Sequence, residues 1–406
     1  PRRINEIAHL LAPESHTPAL WYFGEQLAAS DMEHILLPLL ADKAQSAAHS
    51  TCLHGYLAGV KAQSLERFDS WLKEMLRSSG TAGLGAEITL RSAYSEDAFN
   101  LCLEALEARW IEPAVFGALQ FGKALDSVQT SQIERLFRLI EECATPEALQ
   151  LLIRLIGSIS SDKRLPCGSD FVFAIVLKTI PDSGDPAQFV GFDWKRVSSR
   201  VVKADTSLAA PLLEAILMAM GEEYQLSYDP SIEELSSELV KIDPERAWQV
   251  TAKQFEATLP KWRSDLYDWL KGGIRSFGVT PRGPISDMPE NSILSWIESA
   301  PSERAALIAH AVPPTLDDEG GGGLTRKLLT RYGHIEGVCA GISGSFHSGS
   351  RMGPTSQHLK RQRDILRRWL AADFDIRVTQ WIEAEIERHD REIQKEEINE
   401  ERDRFE

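Results

Sequence analysis

Asp243-Pro-Glu-Arg-Ala-Trp-Gln-Val-Thr-Ala-Lys-Gln-Phe-Glu-Ala-Thr-Leu-Pro-Lys-Trp-Arg-Ser-Asp-Leu-Tyr-Asp-Trp-Leu-Lys-Gly-Gly-Ile-Arg-Ser-Phe277 is the stretch whose reading decides the fold. Asp243 has the side chain of an N-cap, and Pro244 occupies the first helical position, where its missing N–H costs nothing. Trp248, Ala252, Phe255 and Leu259 follow at steps of four, three and four, so they share one helix face. Pro260 ends that helix or opens the next. Trp262, Leu266, Trp269, Leu270 and Phe277 then form a second stripe, with Gly272 and Gly273 weakening its far end. Two such stripes joined by a short connection predict an antiparallel helical hairpin. One hairpin cannot bury both faces of its helices, so it requires neighbours.

The same pattern extends in both directions. From Ile4 to Gly80 apolar residues recur at helical spacing, as in Leu65, Phe68, Leu72, Met75 and Leu76. Ser78 to Gly85, with three glycines, reads as a break. Further helices run from about Ser95 to Ser160. Thr145-Pro146, Asp185-Pro186 and Asp229-Pro230 repeat the cap-and-proline start seen at Asp243. The apolar run Phe171 to Leu177 suits either a buried strand or a buried helix, and its helical surroundings favour helix. After the central hairpin, Ser292 to Glu298 and Pro301 to Ala311 read as another. Gly320 to Gly323 forms a flexible connector, and Gly341 to Pro354 reads as a Gly/Ser-rich loop anchored by Phe346 and Met352. A long polar helix from about Asp375 to Glu400 fades into charge, as a terminal cap does. The predicted fold is therefore all-α: an irregular α-solenoid of antiparallel helical hairpins of HEAT or TPR type. Its helical repeats fall into residues 1–160, 161–280 and 281–406.

Composition narrows the function. The 406 residues are 43% hydrophobic and 26% charged, ordinary for a folded protein. A formal net charge of -16 opposes attraction to nucleic-acid phosphates. No apolar run is long enough to span a bilayer, nothing at the start resembles a signal peptide, and we read the protein as cytoplasmic. Five scattered cysteines without a C-x-x-C pair argue against a disulfide framework or a zinc module.

Motifs with chemical content are few. Gly117-x-x-x-x-Gly122-Lys123 matches part of a phosphate-binding loop, but Ala124 stands where a hydroxyl is needed and no strand precedes it. His49, Cys52 and His54 lie close together without a second ligand cluster, which favours ordinary histidines over a metal site. His334, His347 and His358 border the Gly/Ser-rich loop, yet no nucleophile elbow accompanies Ser343, Ser345 or Ser348. No catalytic or nucleotide-binding motif is intact. The expectation is a non-enzymatic binding protein without cofactor or metal. The basic run Lys360, Arg361, Arg363, Arg367 and Arg368 precedes an acidic tail, and mutual pairing of the two is the preferred reading. Six of the ten tryptophans follow position 240, and any that is exposed is a candidate anchor. The candidate partner-binding residues are Trp262, Trp269, Trp296, Phe346, Arg351, Met352, Arg363 and Arg367.

Asp373-Phe-Asp-Ile-Arg-Val-Thr-Gln-Trp-Ile382 resembles the second-helix signature of HEAT-type repeats, with departures at Phe374 and Gln380. The C-terminal third, from Ser292-Ile-Leu-Ser-Trp-Ile-Glu298 through Gly349-Ser-Arg-Met-Gly-Pro354 to the Glu-rich end, resembles the helical-repeat sensor region of bacterial antiviral STAND NTPases. That resemblance implies recognition of a viral protein, with nucleotide binding and effector action residing elsewhere. The chain would then be a sensor part or a stand-alone relative. A second expectation, of a different class, is a non-catalytic scaffold subunit of a constitutive multi-protein complex.

Overall fold

The computed structural model describes residues 18–46, 51–91, 95–121, 124–160, 165–180, 191–222, 230–257, 263–272, 283–313, 315–317, 323–347, 355–373 and 375–402. All regular structure among them is helical, and no described helix is long and apolar enough to cross a membrane. The chain divides into two units, Pro1–Thr179 and Ile180–Glu406. That division falls inside the span 161–280 that the sequence groups together.

The first unit contains α1 (Pro18–Ser30), α2 (Leu37–Ser46), α3 (Thr51–Gln63), α4 (Leu65–Leu76), α5 (Ala82–Arg91), α6 (Glu96–Glu107), α7 (Thr130–Glu142), α8 (Pro146–Ser158) and α9 (Gly168–Lys178). A 3₁₀ helix, Pro113–Gln120, fills the gap before α7 and packs on α5 and α8. The stretch resembling a phosphate-binding loop is thus partly 3₁₀ helix, and its Gly122 and Lys123 lie outside the described residues. Phe171 to Leu177 is helical, inside α9. The break at Ser78 to Gly85 is shorter than its glycines suggest, since α5 starts at Ala82. Gly85 instead lies against α4, where an added Cβ would come within 3.1 Å of the Met75 Cβ.

Helices α1 and α3 approach almost backbone to backbone. A Cβ on Gly24 would sit 2.0 Å from the Cys52 carbonyl oxygen, and one on Gly55 would sit 1.9 Å from that of Trp21. Gly59 faces Ala28 in the same way, so small residues four apart on each helix meet. Around this crossing Leu53, Tyr56, Leu57, Phe68 and Leu72 form a core. Cys52 belongs to that core, and burial pushes its thiol up to about 11. His49 lies outside the described residues.

The second unit contains α10 (Gly191–Ala204), α11 (Ala209–Glu222), α12 (Pro230–Ile242), α13 (Pro244–Ala257), α14 (Arg263–Lys271), α15 (Glu290–Glu298), α16 (Pro301–Ala311), α17 (Gly323–Tyr332), α18 (Val338–His347), α19 (Thr355–Ala372) and α20 (Ile376–Arg402). Both stripes of the Asp243 segment are buried: Trp248, Ala252 and Phe255 on α13, and Leu266, Trp269 and Leu270 on α14. Leu259, Trp262 and Phe277 lie outside the described residues. The cover differs from a simple hairpin. Helix α13 packs mainly on α11, α12 and α15, whereas α14 packs on α11 and α16. The two meet through Phe255 and Tyr267, whose ring centroids are 6.1 Å apart. An apolar stripe specifies that it must be covered, not by which helix.

Capping follows the sequence. Asp243 Oδ1 accepts from the Arg246 N–H at 3.2 Å, and Thr145 Oγ1 accepts from the Ala148 N–H at 3.2 Å. Near the C-terminus Asp375, not Asp373, caps α20 by accepting from the Arg377 and Val378 N–H groups. Asp373 instead pairs with Arg326 of α17 at 2.7 Å, and Arg377 donates to the Thr330 carbonyl at 2.7 Å. Two of the signature residues therefore clamp α20 to the helix that packs beneath it.

One buried hydrogen bond in the first unit ties loop to core. The fully buried Tyr56 donates its hydroxyl to Asp31 Oδ2 at 2.6 Å, and the Leu36 and Ile35 N–H groups donate to the same carboxylate. Burial alone would raise the Asp31 pKa, but these three donors outweigh it and hold the carboxyl below its usual value. A depressed carboxylate contributes stability in full above its unfolded value of about 3.9 and loses it as pH falls through the folded value. Tyr56→Phe is expected to destabilise the first unit by about 2 kcal/mol at neutral pH. In urea unfolding the gap from wild type should narrow as pH drops below the unfolded value of about 3.9; a gap independent of pH would remove Asp31 from the account.

Candidate functional site

Of the residues singled out from sequence, Trp262, Arg351 and Met352 lie outside the described residues. Trp269 is a core residue, only 4% exposed, with its indole N–H donated to Ser236 at 2.7 Å. Phe346 is likewise core, ringed by Trp369, Trp381 and His389 at centroid distances of 5.8, 6.4 and 5.8 Å. Neither offers a free aromatic face. Trp296 is half-buried, with the Arg304 guanidinium 4.4 Å from its ring and its N–H on Glu256. Arg363 is taken by Asp390 at 2.8 Å, while Arg367 remains exposed on α19. The basic run and the acidic tail do pair across α19 and α20, through Lys360–Glu397 and Arg363–Asp390. Among the described residues, those singled out from sequence do not converge on one surface.

A different set does converge. Gly341 to His347, read from sequence as loop, is the body of α18. Its small residues serve close packing: a Cβ on Gly341 would lie 3.0 Å from the Ala309 Cβ and 3.1 Å from the Ala309 carbonyl carbon on α16. Gly and Ser cost the helix propensity, and the approach to α16 compensates. With α18 seated there, its other face looks onto α20 across a cleft of ≈ 790 Å³. Ser343 and His347, four apart on α18, oppose Trp381, Glu385 and Arg388 on α20. Gln380, Ala384 and Arg377 form the exposed wall.

Glu385 is the centre of the floor and is only 5% exposed. Ser343 donates to its Oε1 at 2.5 Å, Arg388 donates to its Oε2 at 2.8 Å, and His347 Nε2 lies 2.9 Å from the same Oε2. Trp381 donates its indole N–H to Ser343 at 3.1 Å, completing the chain. Burial pushes the Glu385 pKa up, yet His347, Ser343 and Arg388 more than reverse this, so the carboxyl stays ionised. Cys339 on the cleft wall is moved the other way: burial first, then the Glu385 charge, raises its thiol. Behind His347 stacks His389, ring centroids 4.8 Å apart and planes 28° apart. His389 is fully buried, with Nδ1 2.8 Å from the Glu385 carbonyl oxygen and Nε2 3.3 Å from Gln362 Oε1.

This arrangement is not that of a serine hydrolase. Ser343 and His347 bind opposite oxygens of one carboxylate, so the acid separates the hydroxyl from the imidazole that would have to activate it. Its chemistry is that of a buried anion held by polar donors, beside two imidazoles. Among the described residues, His347, Glu385 and His389 are the group able to converge on a cation. Glu385 and His389 escaped the sequence reading because a Glu and a His four apart are unremarkable on a charged helix. Their spacing from each other is legible; their meeting with His347 is not. Comparison of the chain with protein-family models, curated proteins and solved structures finds no match.

The two α18 glycines separate packing from propensity. Gly341→Ala should destabilise the protein by about 1–3 kcal/mol through overpacking against α16. Exposed Gly344, with nothing within 4 Å of an added Cβ, should on replacement by Ala stabilise it by up to about 1 kcal/mol. Thermal unfolding of both variants checks the pair, and equal effects would mean that α18 is not seated by its glycine.

Proposed function

We propose that the chain is a helical-repeat protein that recognises a partner protein through the cleft between α18 and α20. Support for the repeat reading comes from the spacing of contacts between helices. In the first unit Lys178 pairs with Glu141, 37 residues away. In the second, Lys195–Glu234 and Lys253–Glu214 each span 39 residues, Lys327–Glu290 spans 37, and Trp296–Glu256 spans 40. A repeat of two helices and their connections has about that length, so equivalent positions of successive repeats would stand side by side. The clamp from Arg377 to Thr330, 47 residues apart, follows the same logic at the HEAT-like segment.

The observation that carries the binding role is the cleft itself. It offers a wall of exposed Arg377, Gln380 and Ala384 above a floor whose central Glu385 carboxylate is ionised and hydrogen-bonded. A surface of this kind suits a polar protein segment carrying both charge signs, whose side chains can answer Arg377 and Arg388 on one side and Glu392 on the other. The net charge of -16 disfavours nucleic acid as the occupant. The resemblance of the C-terminal third to antiviral sensor regions makes viral proteins the first partners to try.

The test measures binding of the purified chain to individually expressed phage proteins, wild type against Ala384→Trp, which fills the cleft from its exposed wall. Saturable binding by wild type that falls at least about tenfold in the variant, with an unchanged melting curve, is the expected result. Binding that survives the block would move recognition to another face. Constitutive co-purification with a host protein, unaltered by the block, would favour a scaffold subunit instead.

A further inference from the structure

We propose that His347, Glu385 and His389 form a binding site for one divalent transition-metal ion of the zinc class at the floor of the cleft. The proposal stands apart from the protein-recognition role and does not depend on it. One ring nitrogen from each histidine and a Glu385 carboxylate oxygen lie within 4.8 Å of one another. Two imidazoles and a carboxylate are a ligand set that zinc accepts, with a fourth position left for solvent or ligand. Here that position faces the cleft, because His347 is half-buried on its lining while His389 lies fully buried behind it.

The distances fit a site that needs a small closure. In the tetrahedral geometry of such a site, metal–ligand bonds of about 2.0–2.1 Å put ligand atoms about 3.3–3.4 Å apart. His347 Nε2 and Glu385 Oε2 are already 2.9 Å apart. The widest separation, 4.8 Å, must shrink by roughly 1.4 Å, a movement shared between the side-chain torsions of the two histidines. Ser343 holds the other carboxylate oxygen, Oε1, and so supplies the outer hydrogen bond that commonly orients a ligating carboxylate. Arg388 shares Oε2 in the metal-free state, but its side chain is 37% exposed on the cleft wall and is free to swing away.

His389 provides the second, independent observation. Its Nδ1 lies on the Glu385 carbonyl oxygen and its Nε2 faces Gln362 Oε1, the amide being oriented by its Nε2 donation to the Phe346 carbonyl. A neutral imidazole has one N–H for two acceptors, so one ring nitrogen keeps a lone pair with no donor. A fully buried lone pair of this kind is costly in an apolar helix junction and useful to a cation. On binding, the proton that His347 directs at Glu385 moves to Nδ1 or is released to solvent.

Titration of the purified 406-residue chain with Co²⁺, followed by visible ligand-field absorption and displacement with Zn²⁺, tests the site. One saturable equivalent is expected, and His347→Gln should weaken it by more than about tenfold while the thermal transition is retained. His389→Gln should do the same; because that residue is buried, X-ray absorption at the cobalt edge of the wild-type complex gives the same information without a variant, and should report two imidazole ligands. Absence of saturable absorption, absorption unaffected by His347→Gln, or fewer than two imidazoles at the metal would overturn the proposal.

Discussion

An amphipathic helix satisfies its own backbone but not its own apolar stripe, and this asymmetry governs the protein. Hydrogen bonds within each helix leave nothing for neighbours except side chains, so cohesion between helices is a matter of how closely their surfaces approach. Where the approach must be closest, the chain places its smallest residues. Gly24 and Gly55 bring α1 and α3 to backbone contact, and Gly341 does the same for α18 on α16. Larger apolar residues around each contact then close the core, as Leu53, Tyr56 and Phe68 do in the first unit.

Two carboxylates at these junctions are held from several directions. Asp31 is satisfied by a tyrosine hydroxyl and two backbone N–H groups. Glu385 is satisfied by a serine, a histidine and an arginine from two helices. Both are charges whose burial would be unfavourable with any one donor missing. The difference between them is access. Asp31 is partly exposed beyond the end of α1, whereas Glu385 is buried on the floor of a cleft. A buried anion and two imidazoles beside a cleft make the second junction the candidate site, whereas the first ties a loop to the core.

Much of this was legible from residue order. The buried faces of α13 and α14, the caps at Asp243 and Thr145, the helical character of Phe171 to Leu177 and the pairing of the basic run with the acidic tail all follow from local rules. The reading failed where glycine and serine had a packing role. Gly341 to His347 looks like loop because its propensities are poor, yet a neighbour's backbone rewards the missing side chains. Phe346 and Trp269 looked like anchors because aromatic residues serve both interior and interface, and residue type does not say which. The candidate site was missed for a related reason: its members are separated by 38 residues, and each alone is ordinary.

By itself the amino-acid sequence determined the all-helical class, the starts of the helices that open on a cap and proline at Thr145, Asp229 and Asp243, and the faces of α13 and α14 that must be covered. These depend on torsional preference, capping and a period of 3.6 residues, all of which act within a few residues of chain. Tertiary structure alone decided which helix covers which stripe, that α13 and α14 divide their packing among other partners, and that Ser343 and His347 meet Glu385 across a cleft. Those outcomes depend on the shape and distance of side chains far apart in the chain, and apolar burial, being non-directional, leaves many pairings open until packing selects one.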